Sequence, residues 1–219
     1  MSLLTVCQDA ARLLNQTSVS AVVTAAARTP QEFLTIAVQC GQELLRRHDW
    51  GGLVKSTDLM TLPATVPGDF ERLTQGSPVR LGRVPIRGAL SDAEMNLKRS
   101  APITSPPRFQ LLGTILDVAP APTGAVTLEY VSGYWIKSAD TIPVYRATFL
   151  ADSDTSLIPE EIILQGLVWR WKRLKGLAYQ DELDQYEQAV NYHARADRAL
   201  RLPAEQATST SNPARTASP

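Results

Sequence analysis

The sequence predicts an α+β fold: a helical bundle assembled from the N- and C-terminal segments, a β-rich insert between them, and a flexible C-terminal arm. Three observations predict it. Apolar residues recur at helical spacing through residues 1–50 and again through 157–202. Nine of the 15 prolines lie between Pro63 and Pro122, which excludes long helices there, because proline lacks the amide proton and clashes with the preceding turn. Residues 203–219 contain no leucine, valine, isoleucine or aromatic side chain, so nothing there offsets the entropy of ordering the chain. The predicted divisions are 1–50, 51–156, 157–202 and 203–219.

The first helix is read from Leu3, Cys7, Ala10 and Leu14, with Leu4, Val6 and Ala11 widening the apolar face. A second opens at Thr29-Pro30, with Glu32 spaced to close a capping box on Thr29. Phe33, Ala37, Cys40 and Leu44 form its inner stripe, Leu34, Ile36, Val38 and Leu45 flank it, and Gly51-Gly52 ends the zone. Within the insert, Ser91 and Glu94 form another capping box that opens a short helix to about Arg99. Residues 108–112 and 115–118 flank Gly113-Thr114 and read as a hairpin, glycine supplying the positive φ of the first turn position. Val126, Leu128 and Tyr130 alternate with Thr127, Glu129 and Val131, the pattern of a half-buried strand.

Helix returns at Pro159, followed by Glu160 and Glu161, whose charges suit the positive end of the helix dipole. Leu164, Leu167, Val168, Trp171 and Leu174 line one face. Arg170, Lys172, Arg173 and Lys175 crowd the last turns, and Gly176 supplies the C-terminal cap. The last helix, 179–202, sets Tyr179, Leu183, Tyr186, Val190 and His193 on one side. About 24 residues at 1.5 Å each span roughly 36 Å, and a helix so long and so polar elsewhere leans on something beyond its own domain.

Composition narrows the function. Hydrophobic residues at 44% and charged residues at 20% are globular values. Lys plus Arg and Asp plus Glu each number 22, so no overall field draws the chain to phosphate backbones or anionic lipid. No apolar run approaches the roughly 18 residues of a membrane span, and no basic-then-apolar leader opens the chain, which predicts a soluble, cytosolically made protein off the membrane. Two cysteines are too few for a disulfide scaffold, and both fall on core-facing stripes, which predicts reduced, inert thiols. A Cys–His pairing stays open from sequence.

The search for chemistry returns no catalytic, cofactor-binding or metal-ligating set. His48 and His193 are far apart and near no cysteine pair. Asp152-x-Asp154-x-Ser156 imitates the start of a calcium loop, but Leu157 stands where glycine is needed and Ile163 where a bidentate glutamate is needed. No glycine-rich phosphate loop or nucleophile elbow is present. The best polar feature is the basic cluster of Arg170, Lys172, Arg173 and Lys175, beside Trp169, which lies about 100° around the helix from Val168. Arginine and tryptophan together on a surface are typical of binding hot spots.

Larger phrases then carry a resemblance. Arg46-Arg47-His48-Asp49-Trp50 closes the helical pair, and the insert bears Leu62-Pro63, Pro67-Gly68-Asp69-Phe70-Glu71-Arg72-Leu73 and Pro120-Ala121-Pro122-Thr123-Gly124 before Leu128-Glu129-Tyr130-Val131. Phe149 through Glu161 then leads into Gly166-Leu167-Val168-Trp169-Arg170-Trp171-Lys172-Arg173. Over about residues 2–200 this resembles the head-to-tail adaptors of tailed bacteriophages, the head-completion proteins below the portal, of the short-tailed type. The resemblance implies a structural virion protein, assembled in the host cytoplasm. Its implied form is a dodecameric ring that binds the portal protein on one side and the tail nozzle or tail tube on the other. DNA would pass through without sequence-specific binding. It implies no cofactor, and a C-terminal extension, here carrying Pro213 and Arg215, that reaches the portal. Two rivals remain: a peptidoglycan hydrolase using carboxylates around 152–161, an activity described for some members, and a non-viral protein-binding module built on the last helices.

Overall fold

A computed structural model describes residues 1–88, 91–100, 102 and 105–201. The chain begins with α1 (Leu3–Leu13) and α2 (Arg28–Arg47). The insert follows with β1 (Val54–Leu59), β2 (Ala64–Thr65), β3 (Phe70–Leu73), β4 (Val79–Leu81), β5 (Val84–Pro85), β6 (Arg87–Gly88) and α3 (Asp92–Arg99). After these come β7 (Arg108–Leu112), β8 (Ile115–Ala119), β9 (Val126–Ser132), β10 (Ile136–Lys137), β11 (Tyr145–Arg146) and β12 (Thr155–Ser156). Helices α4 (Glu160–Leu174) and α5 (Gln180–Arg201) complete the described chain. The fold is the α+β arrangement that the periodicities predict, with two apolar cores.

The first core is helical. Ser2 caps α1, its hydroxyl accepting the Thr5 amide at 3.3 Å, and Leu3, Val6, Cys7, Ala10 and Ala11 face inward. On α2 the predicted stripe of Phe33, Ala37, Cys40 and Leu44 is wholly buried. Its start differs from expectation. Ala27 is the N-cap, with no side-chain cap bond, and Thr29 lies inside the first turn. Pro30 permits this because the third helical residue has no intrahelical partner for an amide proton in any case.

Helix α4 packs against α1, α2 and α5 at once, so apolar side chains surround most of it: Ile162, Ile163, Leu167, Val168, Trp169 and Trp171 are all buried. Leu174, expected on its inner face, is exposed. Gly176 closes it as predicted, at φ +69. The amides of Gly176 and Leu177 return to the Arg173 and Lys172 carbonyls at 3.1 and 2.9 Å, the paired bonds of a Schellman cap.

The second core lies between two sheets. One has the order β1-β9-β4-β5, with β3 beside the other half of β9; the second runs β2-β8-β7-β6. Val79, Val126, Leu128 and Tyr130 from the first meet Val66, Phe109, Leu116 and Val118 from the second. The β7–β8 hairpin turns on Gly113 at φ +57. Helix α3 starts with the predicted capping box of Ser91 and Glu94 and ties to the second sheet through Gln110 with Asp92 and through Arg99 with Asp117.

Two features join the cores. Strand β9 gives Val126, Leu128 and Tyr130 to the insert and Val131 to the helices. Arg72 of β3 reaches the C-terminal end of α2, donating to the Leu45 carbonyl at 3.0 and 2.9 Å and the His48 carbonyl at 3.0 Å, and pairing with Asp49. Carbonyls left over at a helix end thereby find a charged donor. A small sheet, β11-β10-β12, lies within the expected insert by sequence, yet Trp135, Ile136 and Phe149 pack with the helices.

Candidate partner interface

Helices α2 and α4 pack closely where Gly166 meets Cys40; a Cβ on Gly166 would lie 2.3 Å from the Cys40 sulfur. Toward the C-terminal end of α4 the helices leave a groove of about 810 Å³, with Ile36, Gln39 and Glu43 on one wall and Trp169, Arg170 and Arg173 on the other. The Arg170 guanidinium stands 4.3 Å from the Trp169 ring and 5.1 Å from the Tyr186 ring. It donates to the Gly166 carbonyl at 3.0 Å and pairs with Glu43. Glu43 also takes Arg47 at 3.1 Å and the Tyr186 hydroxyl at 3.4 Å. Burial pushes the Tyr186 phenol well above its ordinary range, so it stays a donor within this cluster.

The predicted interface residues take different positions. Trp169, expected to face a partner, is only 8% exposed. Its ring lies beneath Arg170 and beside Tyr186 and Tyr179, at 6.0 and 6.3 Å between centroids. The 100° offset does turn it away from Val168, but α5 covers that side. Lys175 folds onto Glu32 at 2.7 Å and over the Trp171 ring at 5.4 Å. Its hydrogen bond to Glu32, joined by that of Arg28, holds the Glu32 carboxyl below the usual carboxylate range. Arg173 is exposed on the groove wall and has no ion pair among the described residues. Pro213 and Arg215, with the rest of the 203–219 arm, lie outside the described residues. Sequence reasoning missed the opposite wall, Gln31, Thr35 and Gln39. Its signal was present in a polar stripe at four-residue spacing on an otherwise amphipathic helix.

The acids weighed for catalysis are engaged within the subunit. Asp152 accepts the amides of Val22 and Val23 at 3.1 and 2.8 Å, tying the α1–α2 loop to the approach to α4. Asp154, 1% exposed, accepts the amides of Leu150 and Ala151 at 2.8 and 3.0 Å and pairs with Arg146 at 3.3 Å. Glu160 pairs with the Met1 amine, and Glu161 meets His193 at 3.1 Å. His48 caps α2 and meets Asp197 at 3.1 Å. Among the described residues no three His, Cys, Asp or Glu side chains group to hold a metal ion, and no helix is long and apolar enough to cross a membrane.

Comparison with protein families finds a match over residues 1–217 to the family described as SU10 adaptor protein. Comparison with curated proteins finds no match.

Proposed function

The chain belongs to the SU10 adaptor protein family, adaptors of the bacteriophage head-tail junction, and from that membership we propose that it forms a ring between the portal protein and the tail nozzle or tail tube, closing the head after DNA packaging. The observation that carries this reading is the extent of the match, which covers the bundle and the insert together. Closed rings need heterologous contacts, in which one face of a subunit meets a different face of the next. The α2–α4 groove and the outer surfaces of the insert are chemically unlike faces of that kind. Within this reading Arg173, with Trp169, Arg170 and Lys175 behind it, belongs to a contact surface, and the function is assembly without catalysis, in the virion, after synthesis in the host cytoplasm.

Mixing the purified chain with portal rings and imaging the product by electron microscopy tests the reading. A single twelvefold collar on the portal is the expected result; no association would sink it. Deleting residues 203–219 should weaken portal attachment and leave the thermal transition in place, and a large loss of stability would instead assign that segment to the core. Purified protein should leave peptidoglycan intact, and lysis abolished by Asp152→Asn or Glu160→Gln would restore the hydrolase.

A further inference from the structure

The zero net charge hides an uneven distribution. Residues 76–108 carry Arg80, Arg83, Arg87, Lys98, Arg99 and Arg108 against only Asp92 and Glu94. Glu129 neutralises Arg80 and Asp117 neutralises Arg99. Arg83, Arg87 and Arg108 have no ion pair among the described residues. Among the described residues the Lys98 ammonium donates to neutral oxygens, the Ser105 hydroxyl at 3.0 Å and the Pro106 carbonyl at 3.5 Å.

These cations gather at one edge of the insert. Strand β6 is the outermost of its sheet and runs parallel to β7, with Arg87 directly beside Arg108. Phe109 turns into the core, so strand alternation places both guanidinium groups on the opposite face, which α3 covers farther along β7, where Gln110 meets Asp92. Like charges side by side on adjacent strands repel, and neither pairs with a carboxylate among the described residues. Arg83 stands in the β4–β5 turn, four residues and at most about 14 Å of chain from Arg87. Lys98 is anchored two residues before Arg108. A charge that guards an edge strand against strand addition would explain Arg87. It would not explain Arg108 on an interior strand or Arg83 in a turn.

An external anion fits better, and a second copy of the chain is a poor source of it. Elsewhere carboxylates are largely engaged inside the subunit: Glu43 with Arg47 and Arg170, Asp49 with Arg72, Asp152 with two backbone amides. We propose that this edge binds the phosphodiester backbone of double-stranded DNA without reading its sequence. Guanidinium forks match phosphate oxygens, and contacts to phosphate position a backbone without reading bases; the amides beside these cations, Gln110 and Asn96, are already engaged with Asp92 and Arg99. The proposal rests on the adaptor reading for where the DNA is met, in the channel of a ring, while the binding itself requires only the subunit.

Fluorescence anisotropy of the full chain with labelled duplexes of two unrelated sequences tests it. At about 50 mM salt both duplexes should bind alike, with a log–log salt slope of about −3.6, four cations at about −0.9 each. The double variant Arg83→Gln/Arg87→Gln, altered at two exposed positions, should bind about tenfold more weakly with a slope of about −1.8, keeping the wild-type thermal transition. Lys137→Gln, at an exposed position outside the cluster, should change nothing. No binding by the wild type at low salt, or equal binding by the double variant, overturns the proposal. Loss of ring or portal assembly in that variant with DNA affinity intact would also overturn it, assigning the edge to a protein contact. A wild type that binds DNA but forms no collar would sink the ring and leave this inference standing.

Discussion

Burial sets the chemistry of the two thiols. Cys7 and Cys40 are both 0% exposed. Desolvation raises Cys7 from 9.0 to about 12, with the charge of Asp152 adding to it, and raises Cys40 to about 11 against partial relief from Arg170. The folded state therefore keeps protons that the unfolded chain releases. Their contribution to stability is complete below pH 9, declines above it, and is lost as the pH passes about 11 for Cys40 and about 12 for Cys7. Each thiol should add a slope of about 1.4 kcal/mol per pH unit in that window. Urea unfolding at several pH values should show this decline, and Cys7→Ala/Cys40→Ala should flatten it; an unchanged slope would refute the assignment. Gly166 makes a steric case beside the same sulfur. With Cys40 2.3 Å from the added methyl, Gly166→Ala should cost about 1–3 kcal/mol. Cys40→Ala should recover part of that loss, because the closest clash is with the sulfur itself; a double-mutant cycle with purely additive costs would show that the helices shift apart instead.

Among elements, those specified by neighbouring residues were legible in the sequence. The Ser91–Glu94 box and the Gly113 turn depend on contacts within three or four positions, and both stand where the residues predict. Helix α4 was legible in extent but not in surroundings. Periodicity supplies an angle around a helix and not the number of neighbours, so Leu174 was expected inside and is 60% exposed, while Trp169 was expected outside and is 8% exposed. Arg72 was invisible for another reason: it lies within a phrase that carried only a resemblance, and its carbonyl partners are 27 and 24 positions upstream. Replacing Arg72 with alanine would leave the Leu45 and His48 carbonyls and Asp49 short of their donor, a loss of about 2–4 kcal/mol in chemical unfolding. Lysine should recover little of it, because one ammonium cannot span three acceptors as the guanidinium does. Full rescue by lysine would mean that charge, and not the fork geometry, holds the insert to α2.

Across the whole molecule the question is whether two cores act as one. The helical core contains Trp50, Trp135, Trp169 and Trp171, all 4 tryptophans of the chain, so tryptophan fluorescence reports the helices and not the insert. The same distribution shows what the division by composition missed: Trp135 lies in a stretch read as insert, but nothing in its local pattern tells which of two cores will receive a large aromatic. Leu128, 0% exposed, belongs to the insert core, and Leu128→Ala should cost about 2–5 kcal/mol. Strand β9 serves both cores and Arg72 clamps β3 to α2, so opening the insert should remove Val131 from beneath the helices and strip the α2 carbonyls of their donor. The cost of a change confined to the insert should therefore reach the distant tryptophans. In Leu128→Ala the fluorescence and far-ultraviolet circular dichroism midpoints should fall together in urea, by equal amounts. A fluorescence transition left at its wild-type midpoint, with the dichroism curve split in two, would show that β9 and Arg72 align the halves without coupling their folding.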